Sequence, residues 1–175
     1  MPPLIKPFGT HAPTIAAGCF VAENVVLIGD VVLGEEVNIW YGTTIRGDVG
    51  RVVIEKRANI QDMCCVHMTK NLSNTWIGEQ ASVGHSAIIH GAAIGPGALV
   101  GMGCIVMDNA TIGEQAILGA GSLVTQGAVI PPRSLALGRP AKVVRALTEE
   151  ELSAGQRTAA RYLDLAEQHR SVSFT

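Results

Sequence analysis

The sequence predicts an all-β solenoid followed by one C-terminal α-helix, and two observations support this fold class. The first is an aliphatic residue at every sixth position over most of the chain, often followed by glycine. The second is a composition of 4% aromatic residues with 20 glycines among 175 residues, which requires a narrow core of Val, Ile, Leu and Ala. A chain of this length with 47% apolar residues can bury a substantial core as one domain.

The six-residue period excludes amphipathic helices, because it does not place residues on one face of a helix with 3.6 residues per turn. It resembles the repeat of hexapeptide-repeat proteins, which are left-handed parallel β-helices with three short strands in each triangular coil. The resemblance implies that the aliphatic residues point inward and that glycine and small residues turn the corners. We expect roughly six coils, ending near Pro131 and Pro132. The periodic positions are Ile15, Val21, Leu27, Leu33, Ile39 and Ile45; Ile54, Ile60 and Val66; Ile77, Val83 and Ile89; and Ile94, Val100, Val106, Ile112, Leu118, Val124 and Ile130.

A helix is predicted after the solenoid, running to about His169. Thr148 is its expected N-cap and Glu151 the partner in a capping box, while Gly155 is a weak point within it. We expect this helix to pack along the flank of the solenoid as a cap and a brace for an oligomer. The predicted domains are a β-helix over 1–145, a helix over 146–170 and a tail over 171–175.

The net charge and the N-terminal sequence restrict the expected partners and the expected location of the protein. A net charge of −2 and a pI near 6.2 leave no basic patch suited to nucleic acid or an anionic membrane, so a small substrate or a protein partner is favoured. No signal-peptide pattern and no membrane-length apolar window are present, which predicts a cytoplasmic location. The four cysteines lack metal-site spacing and are expected to be reduced, small core residues.

The six-residue repeat also predicts where side chains outside the core lie, and it serves here as a ruler: residues at equivalent positions of successive coils are expected to stack. Residues three register positions apart stack at about one strand spacing of 4.8 Å, so Arg46, His67 and His90 should lie on one edge. His85 follows a different column and should lie on another edge, near Asp62. A single subunit therefore does not bring the three histidines together. A threefold oligomer can, with His67 and His90 from one chain and His85 from its neighbour completing one metal site.

These residues also resemble the signature of γ-carbonic anhydrases. The resemblance covers nearly the whole chain, including the segment 137–142 that many hexapeptide acyltransferases share. It implies a homotrimer that binds Zn²⁺, or Fe²⁺ or Co²⁺, through His67, His85 and His90 between subunits. The matching strings are Ile45-Arg46-Gly47-Asp48, Asn59-Ile60-Gln61-Asp62, His67, Val83-Gly84-His85 and Ile89-His90-Gly91.

The resemblance further implies the reaction and the residues around it. The reaction is reversible hydration of CO2 to bicarbonate by a metal-bound hydroxide, since three neutral imidazoles leave zinc charged and open to water. Arg46 and Asp48 would form an ion pair at the interface. The residues expected around the metal-bound water are Asn59, Gln61 and Asp62, with Tyr162 reaching the site from the C-terminal helix.

One departure from the family pattern keeps other functions open. The archetype has proton-transferring glutamates directly after Asp48 and in the loop after His67, whereas this chain has Val49 and a loop over 68–75 without acids. The alternatives are an acyl- or acetyltransferase that uses one histidine as general base with coenzyme A, a metal-dependent thioesterase, and a trimeric metal-binding protein with weak catalysis. His11 and His169 lie outside the pattern and are expected to be ordinary terminal residues.

Overall fold

The chain winds into a parallel β-solenoid of about seven turns, which a C-terminal helix covers on one side. A computed structural model describes residues 2–171, so residues 172–175 of the predicted tail lie outside the described residues. The expectation of six coils ending near Pro131 was too short. Stepping six residues on from Ile130 reaches Ala136, which is fully buried in one further strand, whereas the periodic series predicted from the sequence stopped at Ile130.

The strands form three faces, named here the helix-covered face, the histidine face and the third face. The helix-covered face contains β3 (Phe20–Val21), β5 (Asn38–Ile39), β7 (Asn59–Ile60), β10 (Ser82–Val83), β13 (Leu99–Val100), β16 (Ile117–Leu118) and β19 (Ser134–Gly138), with β20 (Ala141–Ala146) antiparallel to β19. The histidine face contains β1 (Leu4–Lys6), the first halves of β4 (Val26–Leu33) and β6 (Thr44–Ile54), β8 (Cys65–His67), β11 (Ile88–His90), β14 (Ile105–Val106) and β17 (Leu123–Val124). The third face contains β2 (Thr14–Ile15), the second halves of β4 and β6, β9 (Thr75–Ile77), β12 (Ala93–Ile94), β15 (Thr111–Ile112) and β18 (Val129–Ile130).

The period-six positions form the core, as predicted. Every one of them from Leu27 to Ile130 is at most 3% exposed, and each pairs in register with the equivalent residue of the next coil. The two earlier positions are the exceptions: Ile15 is 37% exposed and Val21 is half-buried, because β2 pairs only with β4, β3 pairs only with β5, and no coil lies below them. The cysteines are free, but Cys65 is exposed on the histidine face and so does not fill the core.

Glycine occupies two kinds of position in the coils. Some glycines turn the corners, as the resemblance implied, for example Gly97 with a φ of 63° and Gly121 with a φ of 71°. The glycines that directly follow an inward aliphatic residue instead allow close packing of the coils. A Cβ on Gly78 would lie 2.8 Å from the backbone nitrogen of Pro96, and one on Gly95 would lie 2.6 Å from that of Glu114. The left-handed corner conformation falls two residues later, where Gln80 adopts a φ of 56°. Glycine is therefore required because neighbouring backbones leave no room for a side chain.

The C-terminal helix begins as predicted, with a complete capping box between Thr148 and Glu151. It is broken at Ser153 into α1 (Glu149–Leu152) and α2 (Ala154–Ser171), and α2 packs across β3, β5 and β10. Gly155 is a point of contact rather than a weak point, since a Cβ there would lie 2.1 Å from the carbonyl oxygen of Gly97. Neither helix within residues 2–171 combines the length and apolar character needed to cross a membrane.

Candidate metal centre

His67 and His90 stack on one another at the end of the histidine face. β8 and β11 pair in parallel with His67 opposite His90, and Arg46 follows Ile45, which pairs with Val66. The Nδ1 atom of His67 lies 3.3 Å from Nε2 of His90. The edge that the six-residue ruler predicted for Arg46 and these two histidines is therefore present in the folded chain.

The other nitrogen of each ring contacts a carboxylate. His67 Nε2 lies 2.9 Å from Oδ1 of Asp48, and His90 Nδ1 lies 3.1 Å from Oδ2 of Asp108. Since an ionised carboxylate only accepts hydrogen bonds, each ring must present an N–H to its aspartate. Two neutral rings with this arrangement direct lone pairs at each other, which is unfavourable unless a proton or a cation lies between them. Two nitrogen ligands of one tetrahedral zinc ion lie about 3.3 Å apart, because each Zn–N bond is about 2.05 Å.

Asp48 is held between two partners of the same chain. Arg46 Nη1 donates to its Oδ2 at 2.5 Å, while His67 donates to Oδ1. Burial alone would raise the pKa of Asp48, but the hydrogen bonds from His67 and Arg46 outweigh it and keep the pKa below its ordinary value. The ion pair that the resemblance implied thus forms within one chain, where it orients His67.

Asp108 is a functional candidate that the sequence reasoning missed. It accepts hydrogen bonds from His90 and from the Thr69 and Ser73 side chains of the loop over 68–74, and the residue is 8% exposed. Burial alone would raise its pKa, yet the bonds from Ser73, His90 and Thr69 hold the pKa below the ordinary value. The six-residue spacing places Met107 above His90 and Asp108 one position further, above Gly91, because Val106 pairs with Ile89; the column of Arg46, His67 and His90 therefore did not select Asp108.

His85 lies at a different corner, directly after β10 of the helix-covered face. Its Nδ1 lies 2.8 Å from Oδ2 of Asp62, and its Nε2 lies 3.2 Å from the hydroxyl of Tyr162. With the ring proton on Nδ1, Tyr162 donates to Nε2. All three histidines therefore have one nitrogen committed to an aspartate and the other facing outward or towards a neutral group, as metal-binding histidines require.

A buried amide network supports His85 from below. The Gln61 Oε1 atom accepts from the backbone N–H of His85 at 3.2 Å, and Gln61 Nε2 donates to Asn59 Oδ1 at 3.1 Å. Asn59 in turn donates to Ser82 Oγ at 2.7 Å and is fully buried under α2. The resemblance placed Asn59 beside the metal-bound water, whereas the folded chain places it behind Gln61, where it fixes the amide that holds His85.

Tyr162 reaches His85 because α2 is docked through an aromatic cluster, defined here as Phe20, Trp40, Tyr41, Tyr162 and His169. The Tyr162 ring packs edge-on against Trp40 at 5.2 Å, and the Tyr41 hydroxyl bonds His169 Nδ1 at 2.9 Å. Burial and the Asp62 carboxylate raise the pKa of Tyr162, so its hydroxyl stays protonated. His169 was expected to be an ordinary terminal residue, but it anchors the end of this helix.

The two positions where the archetype carries glutamates meet at one cavity. Val49 and the loop residues Asn71, Leu72, Ser73 and Asn74 line it, and none of these five is ionisable. Within residues 2–171 of a single chain, no group of three or more His, Cys, Asp or Glu side chains is arranged to hold a metal ion. The described chain supplies a pair of stacked histidines on one edge and a third histidine on another.

Comparison with known proteins places this geometry in a family. The bacterial transferase hexapeptide family (six repeats) matches residues 91–126. A carbonic anhydrase of Geobacillus kaustophilus is 46% identical over 169 residues, covering 97% of this chain and 92% of that protein. The mitochondrial gamma carbonic anhydrase 2 of Arabidopsis thaliana is 41% identical over 165 residues, covering 91% of this chain and 59% of that protein.

Solved structures agree on the fold and add a second functional name. A Bacillus cereus crystal structure solved under an acetyltransferase designation superposes with a TM-score of 0.95 at 42% identity, covering 99% of this chain and 100% of that one. Identity at this level over the whole length, together with the repeat and the histidine columns, determines the classification. The chain belongs to the γ-carbonic anhydrase-like family of hexapeptide-repeat proteins.

Proposed function

We propose that this protein is a metal-dependent hydratase that interconverts CO2 and bicarbonate at sites shared between subunits of a left-handed β-helical homotrimer. The observation that carries the proposal is the pair of ring nitrogens on His67 and His90, which face each other at 3.3 Å while their protons are committed to aspartates. Such a pair lacks only a cation and a third ligand. His85 of a neighbouring subunit would supply that ligand, because its Nδ1 also lies against a carboxylate, 2.8 Å from Oδ2 of Asp62.

The donor set fits zinc, and also iron or cobalt in the divalent state. Imidazole suits all three metals, and three histidines with one open position are typical of catalytic rather than structural zinc sites. A divalent ion held there would act as a Lewis acid that acidifies water and would supply a hydroxide nucleophile for CO2 at neutral pH.

The residues of the chain have separate tasks in this proposal. Asp48, Asp108 and Asp62 fix the tautomer and orientation of the three rings. Gln61 holds the backbone at His85. Arg46 neighbours His67 in the column, and its side chain is 41% exposed, so N–H groups not used by Asp48 are placed to bind bicarbonate at the same edge.

The cavity lined by Val49 and the 71–74 segment has no ionisable residue, so we expect proton transfer from the site to buffer to be the slow step of hydration. Rapid turnover requires an acid or base that carries a proton from the site to buffer, and Val49 and the residues of the 71–74 segment cannot do so. We therefore expect a hydration rate that rises with the concentration of added imidazole buffer. A Val49→Glu substitution should raise the rate at low buffer concentration, whereas Val49→Gln, which has a similar size and no titratable group, should not.

A subunit-mixing experiment tests the shared site directly. His67→Ala and His85→Ala proteins should each bind little metal and show little CO2 hydration in a stopped-flow assay. Random mixed trimers should recover about a quarter of the wild-type metal and rate, since one interface in four joins an intact His67 edge to an intact His85 corner. A site built within one chain would give no recovery, and wild-type protein that binds no zinc, iron or cobalt would refute the metal assignment.

An acyl- or acetyltransferase is the second candidate, favoured by the matching transferase family and by the designation of the Bacillus cereus structure. A transferase needs one histidine as general base, and coenzyme A bound along the solenoid. Its activity would require His67, His90 or His85 singly and would survive removal of metal by a chelator. Acetyl transfer that is retained after chelation, with stoichiometric metal but no hydration before it, would favour this candidate. Hydrolysis of acyl thioesters that disappears on chelation would instead indicate a thioesterase.

A further inference from the structure

Asp108 connects the candidate metal edge to the loop over 68–74. Its Oδ2 accepts from His90 Nδ1 at 3.1 Å and from Thr69 Oγ1 at 3.0 Å, while its Oδ1 accepts from Ser73 Oγ at 2.5 Å and the Thr69 backbone N–H at 3.2 Å. Among the ion pairs of residues 2–171, Asp108 contacts only His90, so hydroxyl and amide donors satisfy the rest of its charge. Three of the four donors come from the loop.

The backbone at Gly91 leaves space for this connection. Gly91 has a φ of 64°, and a Cβ there would lie 2.1 Å from Ser73 Oγ and 2.2 Å from Asp108 Oδ1. The Gly91 backbone N–H also donates to the carbonyl oxygen of His67 at 2.8 Å. Thus the residue that follows His90 has no side chain at the point where the loop and the carboxylate meet.

The loop bonds also determine which way the carboxylate faces. A buried aspartate without them could rotate about χ2 and lose its contact with His90, because this torsion is broad in the absence of packing. With Thr69 and Ser73 in place, one oxygen is directed at the His90 ring. That oxygen can only accept, so it holds the His90 proton on Nδ1 and leaves Nε2 free to face His67.

We propose that Asp108 is a positioning residue that couples the conformation of the 68–74 loop to the tautomer of His90 and, through it, to metal affinity. This inference rests on the proposed function for its metal-affinity part alone. The loop acts on the metal through Asp108 without contributing a ligand. By thermodynamic linkage, a change that loosens the loop weakens metal binding, and bound metal stabilises the loop by the same factor.

Two variants separate the carboxylate from the loop. Asp108→Asn keeps the size of the side chain and one acceptor oxygen. The Thr69 backbone N–H requires that oxygen at the Oδ1 position, so the amide –NH2, which cannot accept from His90 Nδ1, takes the Oδ2 position. The double variant Thr69→Val with Ser73→Ala keeps the carboxylate and removes two of the hydroxyl donors that orient it. Asp30→Asn is the matched control, since Asp30 lies at a corner on the same side of the solenoid and its ion-pair partner is Arg51, at 3.7 Å.

The first readout needs no metal. Long-range ¹H–¹⁵N correlation spectra of the metal-free protein, recorded above the pH at which histidine titrates, should show His90 protonated on Nδ1 in the wild type and in Asp30→Asn. Asp108→Asn should shift His90 towards the Nε2–H tautomer, and the double variant should give a mixture. Unchanged Nδ1 protonation in both Asp108→Asn and the double variant would overturn the inference.

The second readout is Co²⁺ affinity, followed by the visible absorption of the tetrahedral ion. We expect Asp108→Asn to weaken binding by about 10- to 100-fold, as for other partners of metal-binding histidines, and the double variant to fall between it and Asp30→Asn. If the wild type binds Co²⁺ and both variants match Asp30→Asn, the inference is wrong while the proposed function stands. If the wild type binds neither Co²⁺ nor Zn²⁺ nor Fe²⁺, the proposed function fails and the tautomer alone decides the role of Asp108. If Asp108→Asn does not fold, the double variant decides, because it retains the carboxylate.

Discussion

Replacing Tyr162 with phenylalanine should tighten metal binding, although tyrosine is the more polar residue. In the metal-free chain, the Tyr162 hydroxyl donates to Nε2 of His85 at 3.2 Å, and Asp62 occupies the other ring nitrogen. A metal that uses Nε2 must first break this bond. Phenylalanine keeps the edge-on packing against Trp40 and removes only the competing donor.

The size of the effect follows from the bond that is lost. A neutral hydrogen bond contributes about 0.5–1.5 kcal/mol net, which corresponds to about 2- to 13-fold in an equilibrium constant. At 3.2 Å the bond is at the long end of the usual range, so the lower half of this interval is expected. The apparent Kd for Co²⁺ should therefore fall by about 2- to 5-fold in Tyr162→Phe.

The assay is a Co²⁺ titration of wild type, Tyr162→Phe and the control Tyr41→Phe, followed by absorption. Tyr41 belongs to the same aromatic cluster, but its hydroxyl bonds His169 Nδ1 and not a candidate ligand. Its removal should leave the Kd unchanged. A weaker affinity in Tyr162→Phe alone would refute the reasoning, because it would mean that the hydroxyl supports the metal site rather than competing for His85.

Three further predictions concern stability. Gly155→Val should displace α2, since a Cβ at 155 lies 2.1 Å from the Gly97 carbonyl oxygen; Trp40 fluorescence should report the change, and fluorescence like that of wild type would contradict the contact. Ile60→Ala should lower the free energy of unfolding in urea by about 2–5 kcal/mol, because Ile60 is fully buried between coils; a loss under about 1 kcal/mol would indicate a core that collapses around the gap. Arg145 and the capping bonds lower the pKa of Glu151 from 4.5 to about 2. The ionised carboxylate therefore stabilises α1 fully above about pH 4.5, and this contribution is lost as the pH falls towards 2; Glu151→Gln should remove this pH dependence. A carbon NMR titration of the wild type should show the low carboxyl pKa, and a midpoint near 4.5 would contradict the prediction.

The parts of the fold that depend on local period could be predicted from sequence. One inward residue per hexapeptide determines the register of every coil, and the register alone stacks His67 on His90 and sends His85 to another corner. The capping box is equally local, since its two residues lie three apart. These predictions needed no knowledge of how distant segments approach each other.

The remaining features depend on contacts between distant segments. Ile15 fits the repeat but is exposed, because its burial depends on a coil that does not exist below it. From sequence alone Gly155 is a residue that weakens a helix, whereas in the folded chain it is required for the close contact with Gly97. His169 has a structural role only because α2 packs against Trp40. Asp108 lies one residue beyond the predicted column, and its importance depends on a loop whose path the repeat does not describe.

Two of the three interruptions of the repeat have a common location. The segments 48–51 and 68–74 both depart from regular pairing at the corner between the histidine face and the third face, and pairing resumes in register at Val52 and Thr75. Each coil contacts only its neighbours, so extra residues at this corner extend into solvent without disturbing the coils above and below. The chain can thus acquire or lose loop residues beside the histidine pair with little effect on the core. Related proteins can therefore differ in chemistry at this corner while sharing one scaffold.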